Sequence, residues 1–385
     1  MLTDFNAELA LQQQQGLYRR RRIVEAVSGV ELIVDGKPCL NFCSNDYLGL
    51  SQHPQLKAAL QHAVSQYPLG SGSAHLICGH SHAHHALEEE LAAFTGREKA
   101  VLFSTGYMAN VGVISALCER GDWVLQDRLN HASLLDGALL SKARLQRYRH
   151  RNMADLKAKL SKAPGDVLLV SDGVFSMDGD LAPLPEMVGL TNTRNSLLMI
   201  DDAHGMAVLG RTGAGVVEHF ELAQQDVPIL MGTLGKGFGC FGAFVAGSEA
   251  LIELLIQKAR SYIYTTALPP TVCEATRVSL RLVQGEIGAD KRAILQQNIA
   301  YFKQSARQIG LSLMPSDTAI QPLLIGDSQQ ALAISQQLWA RGLWVSAIRP
   351  PTVPKGQARL RITLSALHQT QHIDTLLDAL AHCLQ

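Results

Sequence analysis

A chain of 385 residues with 34 basic and 34 acidic side chains and 47% hydrophobic residues has material for a large core and no net charge to draw nucleic acid or an acidic membrane surface. A small-molecule substrate suits that balance, and neither a nucleic-acid nor a membrane partner is expected. Asp4 and Glu8 stand where a secretory leader would be basic, and no run of about 18 apolar residues occurs, so the expected location is the cytoplasm.

The seven cysteines are odd in number and scattered through apolar surroundings, which reads as reduced thiols rather than a disulfide frame. Residues 1–44 form the first segment. It holds an amphipathic helix over Asp4 to Gln15, the run Arg19-Arg20-Arg21-Arg22, and a hairpin that joins ELIV to CLNF across Asp35-Gly36. The arginines read as a solvated helix end or as the source of a guanidinium that clamps an anion. Further on, His80 and His84 are one helical turn apart ahead of ALEEELAAF. With no third ligand evident, the histidine cluster reads as the polar start of an amphipathic helix, and no metal is expected.

From about residue 45 to 272, apolar runs of strand length alternate with amphipathic stretches of helix length. The strand-like runs are KAVLF, DWVLQ, DVLLVS, LLMID and PILMG. The alternation predicts an α/β domain with a mostly parallel sheet covered by helices on both faces, and ligands of such sheets bind at the carboxyl ends of the strands. Residues 273–385 predict a smaller α+β domain: helix to Gln308, the strand AIQPLLIG, a helix from Ser328 to Arg341, LWVSAI, the strand RLRITL and a final helix.

The residues that follow each predicted strand make a short polar list. After KAVLF comes Ser104-Thr105-Gly106-Tyr107, a helix start suited to a phosphate. Asn130-His131 follows WVLQD, Asp172 and Ser176 follow VLLVS, and Asp201-Asp202-Ala203-His204 follows LLMI. After PILMG, within MGTLGKGFGCFG, come Thr233 and Lys236. This stretch is no phosphate-cradling G-x-x-x-x-G-K, because Leu230 holds the place of the first glycine and Gly237 that of the Ser or Thr. Gly237, Gly239 and Gly242 spell G-x-G-x-x-G, but no helix opens on the last of them. The glycines read instead as clearance for a planar ligand beside an imine-forming lysine. Pyridoxal phosphate needs such a lysine, a carboxylate on its pyridine nitrogen and a helix start for its phosphate. Asp201, the first residue past LLMI, is the choice for the ring nitrogen; a pair of turn caps is the other reading of Asp201-Asp202.

SNDYLGL (44–50), LGSGSAHLICGH (69–80), STGYMAN (104–110), DGVFSMDGD (172–180), DDAHG (201–205), TLGKGFG (233–239), IRPPTVP and RLRITL together resemble the α-oxoamine synthases along nearly the whole chain. These pyridoxal-phosphate enzymes have the aspartate-aminotransferase fold (fold type I), which implies a mostly parallel seven-stranded sheet in the larger α/β domain, and join an amino acid to an acyl thioester with loss of carbon dioxide. The resemblance implies Lys236 as the Schiff-base lysine, Asp201 at the pyridine nitrogen and His131 stacked on the ring. It further implies Gly106 and Tyr107 at the phosphate, Ser176 and His204 near the phenolic oxygen, and Thr233 in the cofactor site. Thr265 and Thr266 match positions that reach the neighbouring subunit's phosphate, which implies a homodimer with its active site at the interface. Arg361 matches the clamp for the amino acid's carboxylate, and Arg19 and Thr352 match positions that meet the acyl substrate. IRPPTVP with SNDYLGL is most similar to the branch that condenses L-alanine with a pimeloyl thioester, carried on coenzyme A or an acyl-carrier protein, in biotin biosynthesis. A glycine-using branch is the alternative. Arg149–Asn152, RHRN, is less typical of the family and leaves carrier contacts there open.

Overall fold

The computed structural model describes residues 4–193 and 196–384, which divide into two compact units. The larger comprises Asp46–Ser176 and Asp180–Ala293. The smaller gathers the residues up to Asn45, Met177–Gly179, and those from Ile294 onward.

The larger unit is built on a seven-stranded sheet in the order Lys99–Phe103, Ala243–Gly247, Ile229–Thr233, Ser196–Asp201, Val167–Asp172, Trp123–Asp127, Arg144–Tyr148. Ala243–Gly247 runs antiparallel to both its neighbours and the remaining pairs are parallel. Continuous apolar runs belong in such a sheet because helices cover both faces, and every residue of VLLVSD is buried. Val101, Val113, Leu134, Leu168, Met199 and Val245 meet in one core cluster. All five strands expected from apolar runs are present. Two more strands were not among those runs: the short, buried Ala243–Gly247, and Arg144–Tyr148, where RLQRY alternates polar residues at the sheet edge and only Tyr148 is buried. The expected boundary at 272/273 also moves. The helix Pro270–Gln284 packs on helices Pro54–Val64 and His82–Phe94 and so stays with the larger unit; the division falls inside the helix Glu286–Gln308.

In the smaller unit, residues up to 44 do not stand apart. The hairpin strands Glu31–Val34 and Lys37–Asn41 turn through Asp35 and Gly36, both at positive φ as a two-residue hairpin requires. Val24–Ser28 adds to one edge, and Leu343–Trp344 pairs in parallel with Lys37–Asn41 on the other. LWVSAI therefore splits at Val345: Ser346–Ile348 joins a second sheet with Ala358–Thr363 and Ile320–Gly326. Met177–Gly179 belongs here because Gly179 O accepts from Ser316 Oγ and Thr318 Oγ1, each at 2.9 Å, and Asp178 pairs with Arg359 at 2.7 Å. The amino-terminal helix forms over Phe5–Gln14, capped by Asp4, but buries none of its residues, and Phe5 is 73% exposed. Its apolar residues do not gather on one side, so the helix is not the amphipathic one expected there.

RHRN serves the fold. His150 lies between Asp127 (3.0 Å) and Asp180 (2.9 Å), Arg151 bonds Asp180 at 3.0 Å, and Arg149 faces Asp155 at 3.7 Å. Burial opposes the charge on His150, but the two carboxylates outweigh it and hold its pKa up at about 9. A raised histidine pKa contributes stability fully present below its unfolded value of about 6.5 and lost as pH rises through the folded one. His150→Gln is expected to cost on the order of 2 kcal/mol at pH 6, discounted for partial exposure, and almost nothing at pH 10. Urea unfolding at the two pH values checks this, and an equal cost at both overturns it.

Candidate active site

The carboxyl ends of the central strands open on a cavity of about 200 Å³ lined by Gly106, Tyr107, Asn110, His131, Ser133, Asp172, Val174, Ser176, Asp201, Ala203, His204, Met231, Thr233 and Lys236. Eight of the expected site residues thus come together within one unit. Past Phe103 the chain turns into the helix Gly106–Leu117, where Thr105 Oγ1 accepts from Met108 N at 3.2 Å. The first N–H groups, at Gly106 and Tyr107, have no acceptor within the helix and mark the anion end of the cavity. His131 caps the helix Ala132–Ser141, with Nδ1 held 2.7 Å from Ser133 Oγ.

Asp172 and Asp201 are paired in register at the ends of adjacent parallel strands, each only 4% exposed. Two buried carboxylates side by side do not both ionise readily. Burial, and next the charge of Asp201, push the Asp172 carboxyl well above the usual carboxylate range, while its Oδ2 accepts the His131 N–H at 3.1 Å. Asp201 accepts from Asn110 Nδ2 at 2.6 Å and from Ala203 N at 3.0 Å, both neutral donors that fix the carboxylate without balancing its charge. Asp202 is the turn cap of the pair. It is fully buried, its Oδ2 accepts from Val216 N at 2.8 Å, and burial raises its pKa well above the ordinary value.

Lys236 Nζ lies 2.8 Å from His204 Nε2, and the other ring nitrogen, Nδ1, lies 2.5 Å from the hydroxyl of buried Tyr47. Thr233 Oγ1 donates to Gly242 O at 3.1 Å and so braces the loop that carries the lysine. The glycines after Lys236 do not provide clearance for a ligand, as the sequence had suggested. A Cβ on Gly237 would lie 2.6 Å from Met206 O and one on Gly239 2.3 Å from Ser51 N, so they admit the protein's own backbone.

Thr265 is partly buried, Thr266 is exposed, and neither lines the cavity. Arg19, Thr352 and Arg361 belong to the smaller unit. There Arg361 is buried on the strand Ala358–Thr363, with Nη1 2.9 Å from Thr363 Oγ1 and Nη2 3.2 Å from Asn45 Oδ1; Arg19 and Thr352 are exposed. Tyr47, Asn110 and Ser133 were absent from the expected site, and Asp172 was on the strand-end list without a role. Tyr47 and Asn110 lie inside SNDYLGL and STGYMAN, but neither motif shows that its residue meets His204 or Asp201.

These residues fit pyridoxal 5′-phosphate. A buried carboxylate held by neutral donors suits a protonated pyridine nitrogen, unpaired helix N–H groups suit a phosphate, and the lysine amine suits the aldehyde. No helix among the described residues is long and apolar enough to cross a membrane. The model of the family described as aminotransferase class I and II matches residues 37–380. The 8-amino-7-oxononanoate synthase of Thioalkalivibrio sulfidiphilus is 57% identical over 381 residues, 98% of this chain and 97% of that protein. The synthase of the same name from Pseudomonas putida is 56% identical over 383 residues, covering 100% and 98%. Among solved structures, Sphingomonas wittichii serine palmitoyltransferase superposes with a TM-score of 0.94 at 32% identity, covering 100% of this chain and 98% of that one. The 8-amino-7-oxononanoate synthase of Francisella tularensis gives 0.79 at 32% identity, covering 89% and 97%. Identity of this extent over nearly the whole of each chain shows that the chain belongs to the class I and II aminotransferase family and, within it, to the 8-amino-7-oxononanoate synthases.

Proposed function

We propose that this chain condenses L-alanine with a pimeloyl thioester to give 8-amino-7-oxononanoate, carbon dioxide and the thiol carrier, as a cytoplasmic step of biotin biosynthesis. The observation that carries the reading is the Lys236 amine, 2.8 Å from His204 Nε2, in the same cavity as the buried Asp201 carboxylate. When bound, pyridoxal phosphate draws into its ring the electrons released at the α-carbon of the amino acid. Asp201 supplies the negative charge that keeps the ring nitrogen protonated, and Asn110 with the Ala203 N–H holds that carboxylate in place. Lys236 anchors the cofactor at rest; displaced by alanine, its amine takes the α-proton. His204 keeps Nε2 beside that amine because Tyr47 holds Nδ1. The same carbon bonds to the thioester carbonyl as the C–S bond breaks and the thiol leaves; it then loses carbon dioxide and takes back a proton, for which the Lys236 ammonium is the donor at hand.

The family pattern assigns Gly106 and Tyr107 to the phosphate, His131 to the ring face, Ser176 and His204 to the phenolic oxygen, and Thr233 to the same site. Thr265 and Thr266 are assigned to the cavity of a second copy in a homodimer, Arg361 to the alanine carboxylate, and Arg19 and Thr352 to the acyl chain. Arg361→Ala should raise the alanine KM by about 10- to 100-fold, the worth of a charged hydrogen-bonded pair, with cofactor retained. An unchanged alanine KM places the clamp elsewhere. Tyr47→Phe should lower kcat by about 5- to 10-fold, as expected for one lost hydrogen bond, without loss of cofactor; an unchanged kcat removes Tyr47 from the reaction. The reading as a whole is tested by thiol release and carbon dioxide formation with alanine plus pimeloyl-CoA or the pimeloyl carrier protein, against glycine plus acetyl- or succinyl-CoA. Turnover with glycine and none with alanine overturns it.

A further inference from the structure

The histidines just ahead of and in the first turn of the helix His82–Phe94 are unused by the chemistry above, and in the fold His80 and His84 do not pair as their spacing suggests. His84 is fully buried with both ring nitrogens engaged: Nδ1 accepts from Ser81 N at 3.0 Å, and Nε2 faces Leu268 O at 2.7 Å. It is therefore removed from any ligand set. His80 instead turns Nε2 toward Glu88 Oε2, 3.9 Å away, and one nitrogen of exposed His85 completes a group whose ligand atoms all lie within 4.8 Å of one another. Glu88 is the third ligand that the sequence did not reveal, one helical turn beyond His84 on the same helix.

We propose that His80, His85 and Glu88 form a binding site for a divalent transition ion of the zinc class, apart from the catalytic cavity. The 3.9 Å between His80 and Glu88 is too long for a hydrogen bond, and only modestly wider than the roughly 3.4 Å between neighbouring ligands of a tetrahedral ion with bonds of about 2.1 Å. The supporting contacts are those of a built site. His80 Nδ1 lies 3.0 Å from His75 Nδ1, which fixes the ring and leaves Nε2 as the ligand atom. Glu88 Oε1 accepts from Leu102 N at 2.9 Å, which leaves Oε2 for the ion. Three protein ligands leave a fourth position for water. Such an ion would tie the turn His75–Gly79 and its cap His80 to the helix that follows.

The test uses full-length holoenzyme stripped with EDTA and titrated calorimetrically with Zn²⁺ and Co²⁺. One ion per chain is expected, together with a rise in melting temperature. His85→Ala removes an exposed side chain and leaves the fold untouched; it should weaken binding at least about 10-fold and abolish the thermal shift. Glu88→Gln keeps the carbonyl that accepts from Leu102 and should do the same. His82→Gln and Cys78→Ser, which alter exposed groups outside the set, should bind as the parent does. No binding by the parent at tenfold excess of metal, or binding unaltered in His85→Ala and Glu88→Gln, overturns the proposal.

Discussion

Replacing Lys236 with alanine is expected to lower kcat by at least about a thousandfold and to remove the visible absorbance that lysine-anchored cofactor gives the purified protein. The size of the effect follows from the two roles proposed for one amine, anchor and base. Its setting supports the second: Nζ sits 2.8 Å from His204 Nε2, inside a cavity that also holds the carboxylate pair. Added methylamine should restore part of the rate, because a small amine can enter the space left by the side chain and act as base. Alanine-dependent thiol release at the parent rate in Lys236→Ala would sink the assignment.

Asp201→Asn should reduce kcat/KM by about 10²- to 10³-fold, the usual worth of one preorganised electrostatic partner. The amide retains an oxygen to accept from Ala203 N, now 3.0 Å from the carboxylate, so the loop keeps its shape while the charge disappears. A second measurement separates lost charge from lost fold. Without cofactor, the variant should melt no lower than the parent, because the substitution removes a buried charge that lies beside Asp172. A variant with full activity, or one that unfolds without cofactor, contradicts this role for Asp201.

Asp201 and Lys236 were legible as candidates because Asp201 closes an apolar run long enough to be a buried strand and Lys236 stands three residues past the end of another, and strand ends in such sheets point at ligands. The division of labour between the carboxylates was less so. Asp172 follows its strand as Asp201 does, and only the neighbouring hydrogen bonds distinguish the one held by neutral donors from the one pushed toward its acid form. Tyr47 was hidden for another reason: its partner His204 lies 157 positions away, and no local pattern encodes that contact. RLRITL shows the same limit, since both arginines sit on one strand but Arg359 is 1% exposed and taken by Asp178, while Arg361 bonds to Asn45 and Thr363. Periodicity located the amino-terminal hairpin, yet it carried no sign of the strand pair between Lys37–Asn41 and Leu343–Trp344.

That last pairing has a consequence for synthesis on the ribosome. Lys37–Asn41 emerges early, but Leu343–Trp344, its neighbour on one side, follows only after about 300 more residues. At roughly 5–20 residues per second the wait is about 15–60 s. Meanwhile Asp46–Ser176 and Asp180–Ala293 emerge in full and have every strand of their own sheet. The nascent chain thus carries an open strand edge at its amino end for most of its translation, a stretch that holding chaperones or added charge at that edge would protect.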